Sequence, residues 1–345
     1  MKIIKMNENQ PSTNPEKILV IRNDHIGDLV LSTSVFRELR KKYPQSRIVA
    51  VVSNSNKSLI EKNKDINEFI VINHGRDFFK NFFKNLPNLR KIRKENFNIG
   101  IDLRGDFVNS LLMFITKIKY KLSFYQGPLS NIFLNFKHKR DGNKHESFNM
   151  LDIINNGLNM SLKDNWPDIS TDSSDKKELD EFISKNNLKK FVCISPESNQ
   201  PNMQWSLEEF DKVIKFIKNN YKDYKIVLLG VDNEKLDYLS ERNPGIINLR
   251  KANLRMVYLL FKKSNLVVSL DTGTMHLAWA GNSNLLCILM PVSEPTINHT
   301  MPLGKNSRHI TGEGQIPKAE RVNEEIERIL DKSSLSKNLK KPKLS

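Results

Sequence analysis

Two cysteines in 345 residues are too few for a disulfide framework, and their positions match no zinc-ligand spacing. Both Cys193 and Cys287 lie inside apolar runs, which favours buried thiols over reactive ones. No uncharged apolar stretch approaches the roughly 18 residues that a membrane span needs. The first residues lack the apolar segment and the cleavage site of a secretory signal. These absences predict a reduced, cytoplasmic, soluble protein, which could contact a membrane from the inside.

Several catalytic motifs are also missing. The chain has no Walker loop, no G-x-S-x-G elbow, no H-E-x-x-H pair and no G-x-G-x-x-G fingerprint. It also has no Asp-x-Asp pair, so nothing in the sequence indicates a metal held by closely spaced carboxylates. We therefore expect neither a metal site nor a resident cofactor.

Negative charge is scarce relative to positive charge. The chain has 55 Lys and Arg against 39 Asp and Glu, a formal net charge of +16. Such an excess indicates an anionic partner, which could be nucleic acid, a membrane surface or an acidic substrate. It is equally compatible with a general richness in Lys and Asn. The segment 76–144 has 15 cationic and 5 acidic residues, and the tail 331–345 has 5 and 1.

Short apolar runs alternate with helical patterns along most of the chain. Ile18–Ile21 precedes a helical pattern over 29–43, and the next apolar run is Ile48–Val52. The alternation restarts at Phe191, after a polar segment. Continuous apolar strands separated by helices are typical of a parallel sheet covered on both faces. The sequence therefore predicts an α/β protein with two doubly wound domains that face a cleft.

The predicted organisation has five parts. These are a flexible N-terminal extension over 1–16, a first Rossmann-like domain over 17–160, a linker region over 161–188, a second Rossmann-like domain with a C-terminal helix over 189–330, and a disordered basic tail over 331–345.

The loop after the first strand contains Gly27 and Asp28 at the start of a predicted helix. A carboxylate there is favoured by the helix dipole, so Asp28 could simply stabilise the helix end. The alternative is a general base, because ligands bind at the carboxyl ends of parallel strands.

Three loops of the second half carry further polar groups. The segment 269–276, Ser-Leu-Asp-Thr-Gly-Thr-Met-His, joins a strand to a helix, so its backbone N–H groups could bind an anion. A capped core helix with a buried histidine is the alternative. The polar loop 195–205 could contact phosphate oxygens, and Glu234 could accept from a ribose diol. Each of these two is also compatible with an ordinary loop or helix start.

These loops, in this order, resemble glycosyltransferase family 9, the ADP-heptose:lipopolysaccharide heptosyltransferase family with the GT-B fold. The resemblance covers about residues 17–304. It rests on ILVIRNDHIGDLVLSTSVFRELRKKYP, IDLRGDFVNSLL, HESFNMLDIINNGL, ISPESNQPNMQWSLEEF, LLGVDNE and VSLDTGTMHLAWA. The G-D-x-x-x-(S/T) start and the D-T-G-x-x-H segment are the most specific of these.

The resemblance implies an inverting, metal-independent transfer of a heptose from ADP-heptose to the inner core of lipopolysaccharide or lipooligosaccharide. The first domain would bind the acceptor and the second the nucleotide sugar. Asp28 would be the general base, and Arg104 would lie on the acceptor side. The donor would be bound by Ser198, Asn199, Met203, Glu234, Asp271, Thr272, Gly273 and His276.

One departure concerns the K-x-W segment of the family, in which a lysine pairs with donor phosphate. Met203 occupies that position here, two residues before Trp205. Loss of a charge-assisted phosphate contact costs about 1.5–3 kcal/mol, or one to two decades in binding. Another cation could substitute, the donor could differ, or activity could be weak. A family member that uses another nucleotide sugar or acceptor, or a non-catalytic nucleotide- or glycan-binding protein, therefore remains an alternative.

The resemblance also narrows the partners. Because the acceptor is a lipid-anchored, anionic glycan, we expect a peripheral protein on the cytoplasmic face of the inner membrane and no binding to nucleic acid. The predicted helix over 78–94 interleaves Phe78, Phe79, Phe82 and Phe83 with basic residues, which suits an anionic membrane surface. Replacing Lys80, Lys84, Arg90 and Lys91 by Gln should then remove salt-sensitive vesicle binding.

Overall fold

A computed structural model of the chain describes residues 11–72, 78–291, 299–312 and 314–338. The chain divides between Ser170 and Thr171 into two compact units, and a short segment around His299 belongs to the first unit. Among the helices of the described segments, none is long and apolar enough to cross a membrane.

The first unit is built on a parallel sheet of six strands in the order β3-β2-β1-β4-β5-β6. The strands are β1 Lys17–Ile21, β2 Arg47–Val52, β3 Glu68–Val71, β4 Ile99–Asp102, β5 Tyr120–Phe124 and β6 Phe136–His138. The helices are α1 Ile26–Lys42, α2 Phe78–Glu95, α3 Phe107–Ile115, α4 Ser130–Phe133 and α5 Glu146–Gly157. A 3-10 helix covers Lys57–Leu59. The central strands are almost entirely buried, which explains their continuous apolar sequences.

The second unit repeats this plan with a parallel sheet in the order β12-β11-β10-β7-β8-β9. Its strands are β7 Phe191–Ser195, β8 Lys225–Gly230, β9 Ile247–Arg250, β10 Leu266–Leu270, β11 Leu285–Ile288 and β12 Ser307–Ile310. Its helices are α6 Ser173–Lys185, α7 Leu207–Asn220, α8 Asn233–Arg242, α9 Leu254–Lys263, α10 Gly273–Ala280 and α11 Ala319–Asn338. A 3-10 helix covers Pro201–Met203.

Two parallel sheets with helices confirm the predicted α/β class and the two Rossmann-like domains of the GT-B architecture. Three strands, β5, β6 and β12, are absent from the sequence interpretation. Strand β5 alternates apolar with polar residues, whereas β6 and β12 are edge strands that contain one apolar residue each and whose residues are mostly half-buried. Helices cover an edge strand less completely than a central strand. An edge strand therefore lacks the continuous apolar run that identified the central strands.

The ends and the linker differ from the prediction in detail. The boundary between the two units along the chain lies within the predicted linker 161–188. However, that segment also includes α6, which begins with a capping box between Asp172 and Asp175. Buried Asp175 also pairs with Arg255 of α9 at 3.0 Å, so α6 is part of the second unit. Helix α11 extends eight residues into the segment predicted to be disordered, 331–345, whose last seven residues lie outside the described part. Residues 1–10 of the predicted extension also lie outside it.

Candidate functional site

In the first unit the candidate residues lie where β1 ends and α1 begins. His25 precedes the helix in an extended conformation without capping it through its side chain, and Asp28 lies in the first turn. The Asp28 carboxylate is 2.6 Å from the Arg22 guanidinium. The Asp28 side chain is 29% exposed, whereas that of Arg22 is only 4% exposed. A solvent-accessible carboxylate is thus held by a buried cation at the carboxyl edge of the sheet.

Arg22 is a functional candidate that the sequence interpretation did not assign. Its guanidinium also lies 3.0 Å from Asp24 and 3.6 Å from Glu146, and it donates to the Leu103 carbonyl. Burial alone lowers the pKa of Arg22, but the carboxylates of Asp28, Asp24 and Glu146 raise it by more. Arg22 therefore stays charged and orients the acidic groups around it. The one available signal was a basic residue directly after a buried strand.

The neighbouring strand β4 ends in a polar turn that is organised by Asp102. The buried Asp102 carboxylate accepts hydrogen bonds of 2.8–3.3 Å from the backbone N–H groups of Arg104, Gly105 and Asp106 and from the side chains of Asn109 and Ser123. Burial, together with the charge of nearby Asp106, raises the pKa of Asp102 to about 6, although these hydrogen bonds act in the opposite direction. The turn is therefore rigid, and it fixes the direction in which Arg104 leaves the strand.

Arg104, predicted to lie on the acceptor side, is close to the Asp28 loop because β1 and β4 are paired neighbours. Its guanidinium is 2.9 Å from Asp106 and about one third exposed. Burial raises the pKa of Asp24, and the charges of Arg22 and Arg104 partly offset that rise. The structure thus brings Asp28 and Arg104 to the same edge of the first sheet.

Glu146, at the start of α5, connects this network to further cations. Its buried carboxylate is 3.0 Å from Arg140 and 3.1 Å from His299, in addition to Arg22. The hydrogen bond with Glu146 raises the pKa of His299, and the Lys144 carbonyl, 2.9 Å from the other ring nitrogen, acts in the same direction. The HESFNML segment was part of the resemblance, but its sequence did not indicate these partners.

In the second unit the segment 271–276 lies between β10 and α10. Thr272 precedes the helix in an extended conformation and makes no side-chain cap. The Thr274 hydroxyl is within 2.8–3.0 Å of the hydroxyls of Thr272, Ser269 and Ser195. These four hydroxyls lie beside the first turn of α10, whose backbone N–H groups carry partial positive charge. The hydroxyls and the N–H groups together form a cluster of hydrogen-bond donors that could bind an anion.

The other predicted residues of this segment differ in exposure. Asp271 and Gly273 are half-buried, whereas His276 lies on the first turn of α10 and is buried. The helix beyond them, including Met275 and Trp279, is part of the interior of the unit. The segment therefore combines the predicted anion site with the start of a core helix.

Gln204 organises the loop between β7 and α7. Its side-chain oxygen accepts from the Ser198 backbone N–H and from the Lys235 ammonium, each at 3.0 Å. Its side-chain nitrogen donates to the carbonyls of Pro196 and Trp205 at 2.7 and 2.8 Å. Ser198 is half-buried and Asn199 is exposed on the same loop. Met203 is half-buried and packs against the apolar core that includes Trp205.

Glu197, on the same loop, supports the neighbouring one. Its carboxylate accepts from the backbone N–H groups of Val231 and Asp232 at 2.8 and 3.0 Å. A side chain at Gly230 would overlap this carboxylate and would have to displace it. Asp232 in turn caps α8, and Glu234 is exposed in its first turn.

The sheet order brings the predicted donor residues of the second unit together. Strands β10, β7 and β8 are adjacent, so the loops carrying Asp271–His276, Ser198–Asn199 and Glu234 leave the same edge side by side. Within the described residues, no group of three His, Cys, Asp or Glu side chains could hold a metal ion.

The chain is similar to known proteins over most of its length. The model of glycosyltransferase family 9 (heptosyltransferase) matches residues 88–328. Lipopolysaccharide heptosyltransferase 2 of Salmonella typhimurium is 23% identical over 316 residues, which cover 85% of this chain and 87% of that protein.

Two solved structures share the fold. A family 9 glycosyltransferase from Veillonella parvula aligns with a TM-score of 0.80 at 20% identity, covering 94% of this chain and 99% of the other. ADP-heptose lipopolysaccharide heptosyltransferase II of E. coli aligns with a TM-score of 0.75 at 22% identity, covering 92% and 99%.

Proposed function

The chain belongs to glycosyltransferase family 9, and on that premise we propose that it transfers a heptose from ADP-heptose to the inner core of lipopolysaccharide or lipooligosaccharide. The transfer inverts the anomeric configuration and needs no metal ion. The observation that carries the proposal is the Asp28 carboxylate, which is held at 2.6 Å by buried Arg22 and yet remains accessible. The similarity to proteins named as heptosyltransferases supports the choice of sugar.

In the proposed reaction Asp28 accepts the proton of an acceptor hydroxyl. The hydroxyl oxygen attacks the anomeric carbon of the heptose from the face opposite the diphosphate. A new glycosidic bond forms as the bond to the diphosphate oxygen breaks, and ADP leaves with the electron pair of that bond. Arg22 keeps the carboxylate oriented, and its own raised pKa means that it does not compete for the proton.

The second unit binds the donor in this proposal. The diphosphate lies at the start of α10, where the partial charge of the helix stabilises the leaving group without a metal ion. Asp271, Thr272, Gly273 and His276 line this part of the site. On the adjacent loops Ser198 and Asn199 donate to phosphate oxygens, and Glu234 accepts from the ribose hydroxyls. Met203 lies on the same donor-binding loop and packs against the apolar core below it.

Lys235 compensates for the missing lysine at position 203. Its ammonium and the Ser198 amide share one acceptor, the side-chain oxygen of Gln204. The ammonium is thus close to the loop that binds the diphosphate, although Asp232 is also 3.7 Å away. A lysine is flexible enough to move from Gln204 to a phosphate oxygen when the donor binds. The donor site keeps one cation by this route.

The first unit binds the acceptor, a lipid-anchored core oligosaccharide, with Arg104 beside the general base. This assignment agrees with the excess of positive charge over 76–144. The protein acts at the cytoplasmic face of the inner membrane, as a peripheral protein that does not bind nucleic acid.

The proposal is tested by mass spectrometry of the core oligosaccharide from cells with and without the gene. Loss of one heptose, restored by the wild-type gene but not by a gene encoding Asp28→Asn, is the expected result. An unchanged core contradicts the assigned acceptor.

Another nucleotide sugar is the second candidate donor, because Met203 replaces the lysine that the family pattern contains. Incubation of the purified protein with a panel of nucleotide sugars distinguishes the two donors. Turnover with a donor other than ADP-heptose favours this candidate. Binding of all donors without turnover indicates a non-catalytic protein.

A further inference from the structure

Large apolar side chains are exposed on one part of the first unit. Phe107, Phe114, Leu129 and Ile132 are each between 43% and 65% exposed. Among the described residues of this unit, Tyr125 is the only other large apolar residue in the same class, and it lies in the same stretch of chain. We call the first four residues the apolar patch. Single exposed apolar residues are common on proteins, but a cluster indicates an interaction surface.

The apolar patch lies on α3 and at the start of α4, two helices that pack against each other through their aromatic rings. Phe107 and Phe114 are seven residues apart on α3, so they lie on the same face of that helix. The Phe133 ring contacts both edge-to-face, with ring centroids 5.5 and 5.2 Å away. Leu129 and Ile132 lie on the turn that leads into Phe133, joined by a backbone hydrogen bond of 3.2 Å.

Cations border this surface. Residues 107–140 include six Lys and Arg and no Asp or Glu. Lys117 and Lys119 are exposed directly after α3, close in the chain to Phe114. Exposed Arg93 donates to a carbonyl in the last turn of α3 at 3.3 Å, so it lies beside the same helix end. At the other end of α3, the acidic residue Asp106 is already paired with Arg104 at 2.9 Å.

We propose that the apolar patch and these cations dock the first unit onto an anionic lipid bilayer. The apolar side chains enter the boundary between headgroups and acyl chains, and Arg93, Lys117 and Lys119 meet the headgroup phosphates. A second copy of the chain is a poor occupant, because a two-fold contact would place the same cations against one another. The inference rests on the proposed function, since docking there brings the acceptor-binding unit to a lipid-anchored acceptor.

The test is flotation of the full chain with vesicles of phosphatidylcholine, with and without phosphatidylglycerol. The double variant Phe114→Ser/Ile132→Ser should partition at least about tenfold less into the anionic vesicles. Its matched control is Val231→Ser/Ile316→Ser, which removes two apolar residues of the second unit that are 61% and 60% exposed. This control should partition as the wild type does.

The electrostatic part is tested separately with Lys117→Gln/Lys119→Gln. Each lysine should contribute about a fivefold effect on anionic vesicles at low salt, and the effect should shrink as salt increases. The control Lys177→Gln/Lys222→Gln removes two exposed lysines of the second unit. Because all these side chains are exposed, circular dichroism should give the same spectrum for each variant and the wild type. If Phe114→Ser does not fold, the test is made with Ile132→Ser alone and with the lysine variants.

Two acceptors separate this inference from the proposed function. With a deacylated, water-soluble core oligosaccharide the patch variant should turn over as the wild type does, and with acceptor in vesicles it should be slower. If the wild type turns over neither acceptor but still partitions into vesicles in a patch-dependent way, the transfer function is contradicted and the docking surface is supported. Partitioning of the patch variant at the wild-type level overturns the docking surface. Equal losses in the control, or patch-dependent dimerisation without vesicle binding, also overturn it.

Discussion

The Arg22 guanidinium lies 2.6 Å from the Asp28 carboxylate, with the cation buried and the carboxylate accessible. This arrangement separates two tasks. Asp28 can reach a substrate hydroxyl. Arg22 is held in place by ion pairs with Asp24 and Glu146 and by a hydrogen bond to the Leu103 carbonyl. The most direct predictions concern these two residues.

Replacing Asp28 by Asn should lower transfer by about 10²–10⁴-fold, because the amide cannot accept the proton of the acceptor. Donor binding, measured by calorimetry with ADP, should be unchanged. Asp164→Asn is the matched control, since Asp164 is also an ion-paired aspartate of the first unit, 2.9 Å from Arg37. Wild-type turnover in Asp28→Asn would exclude it as the base.

Arg22→Lys should lower kcat by about 10–100-fold, because one ammonium cannot replace the planar guanidinium that contacts three carboxylates. The affinity for ADP should not change, since Arg22 orients Asp28 rather than the donor. Arg22→Met should in addition lower the free energy of unfolding by about 3–5 kcal/mol, because it removes the cation that is ion-paired with the largely buried Asp24 carboxylate at 3.0 Å. Equal kcat in Arg22→Lys and the wild type would show that the pair is only structural.

Lys235→Gln should weaken ADP binding by about ten- to a hundredfold, because a charge-assisted contact with phosphate is lost. Adenosine, which has no phosphate, should bind equally to both proteins. Met203→Lys should restore ADP affinity in the variant and tighten it in the wild type. The control is Lys218→Gln near the far end of α7, where Lys218 donates to the Pro244 carbonyl at 2.9 Å. Unchanged ADP affinity in Lys235→Gln would remove Lys235 from the donor site.

Gly230→Ala should lower the free energy of unfolding by about 1–3 kcal/mol, because the new methyl group displaces the Glu197 carboxylate. The backbone N–H groups of Val231 and Asp232 then lose their acceptor. Urea unfolding measures the loss. Gly142→Ala is the control, since no atom lies close to a methyl group there. An equal stability of the two variants would contradict the supporting role of Glu197.

His299 should make stability depend on pH. Its pKa is raised in the folded chain by the hydrogen bond to Glu146, so the folded state binds the proton more tightly than the unfolded state. The stabilisation is therefore complete below the ordinary pKa of histidine, about 6.5, and is lost as pH rises through the raised pKa. Thermal unfolding at a series of pH values should show this loss in the wild type and not in His299→Gln. His309→Gln, at an exposed histidine, should behave as the wild type does.

The fold was predictable to different degrees in different elements. The central strands β1, β2, β7 and β10 were evident because burial on both faces demands a continuous apolar sequence. The edge strands β6 and β12 were not, since half-burial leaves no such run. Helix α6 was hidden in a polar segment because its stability depends on its capping box and on the pairing of Asp175 with Arg255.

The candidate site divides in the same way. The positions of Asp28, Ser198, Glu234 and the segment 271–276 in strand-to-helix connections or first helical turns were predictable, because each lies in a pattern whose spacing is local to the chain. Arg22 and Glu146 were not, because they become important only through each other and are more than 100 residues apart.

The sequence by itself determined the α/β class, the strand-end loops and the family, because these depend on periodicity and motifs within short stretches. Only the tertiary structure decided which charged side chains form ion pairs. The pairing of β1 with β4 brings Arg104 close to Asp24, and the start of α5 places Glu146 against Arg22 and His299. It also decided that Phe107 and Phe114 meet Phe133 at the surface. Burial and pairing depend on the packing of distant segments, which no local pattern specifies.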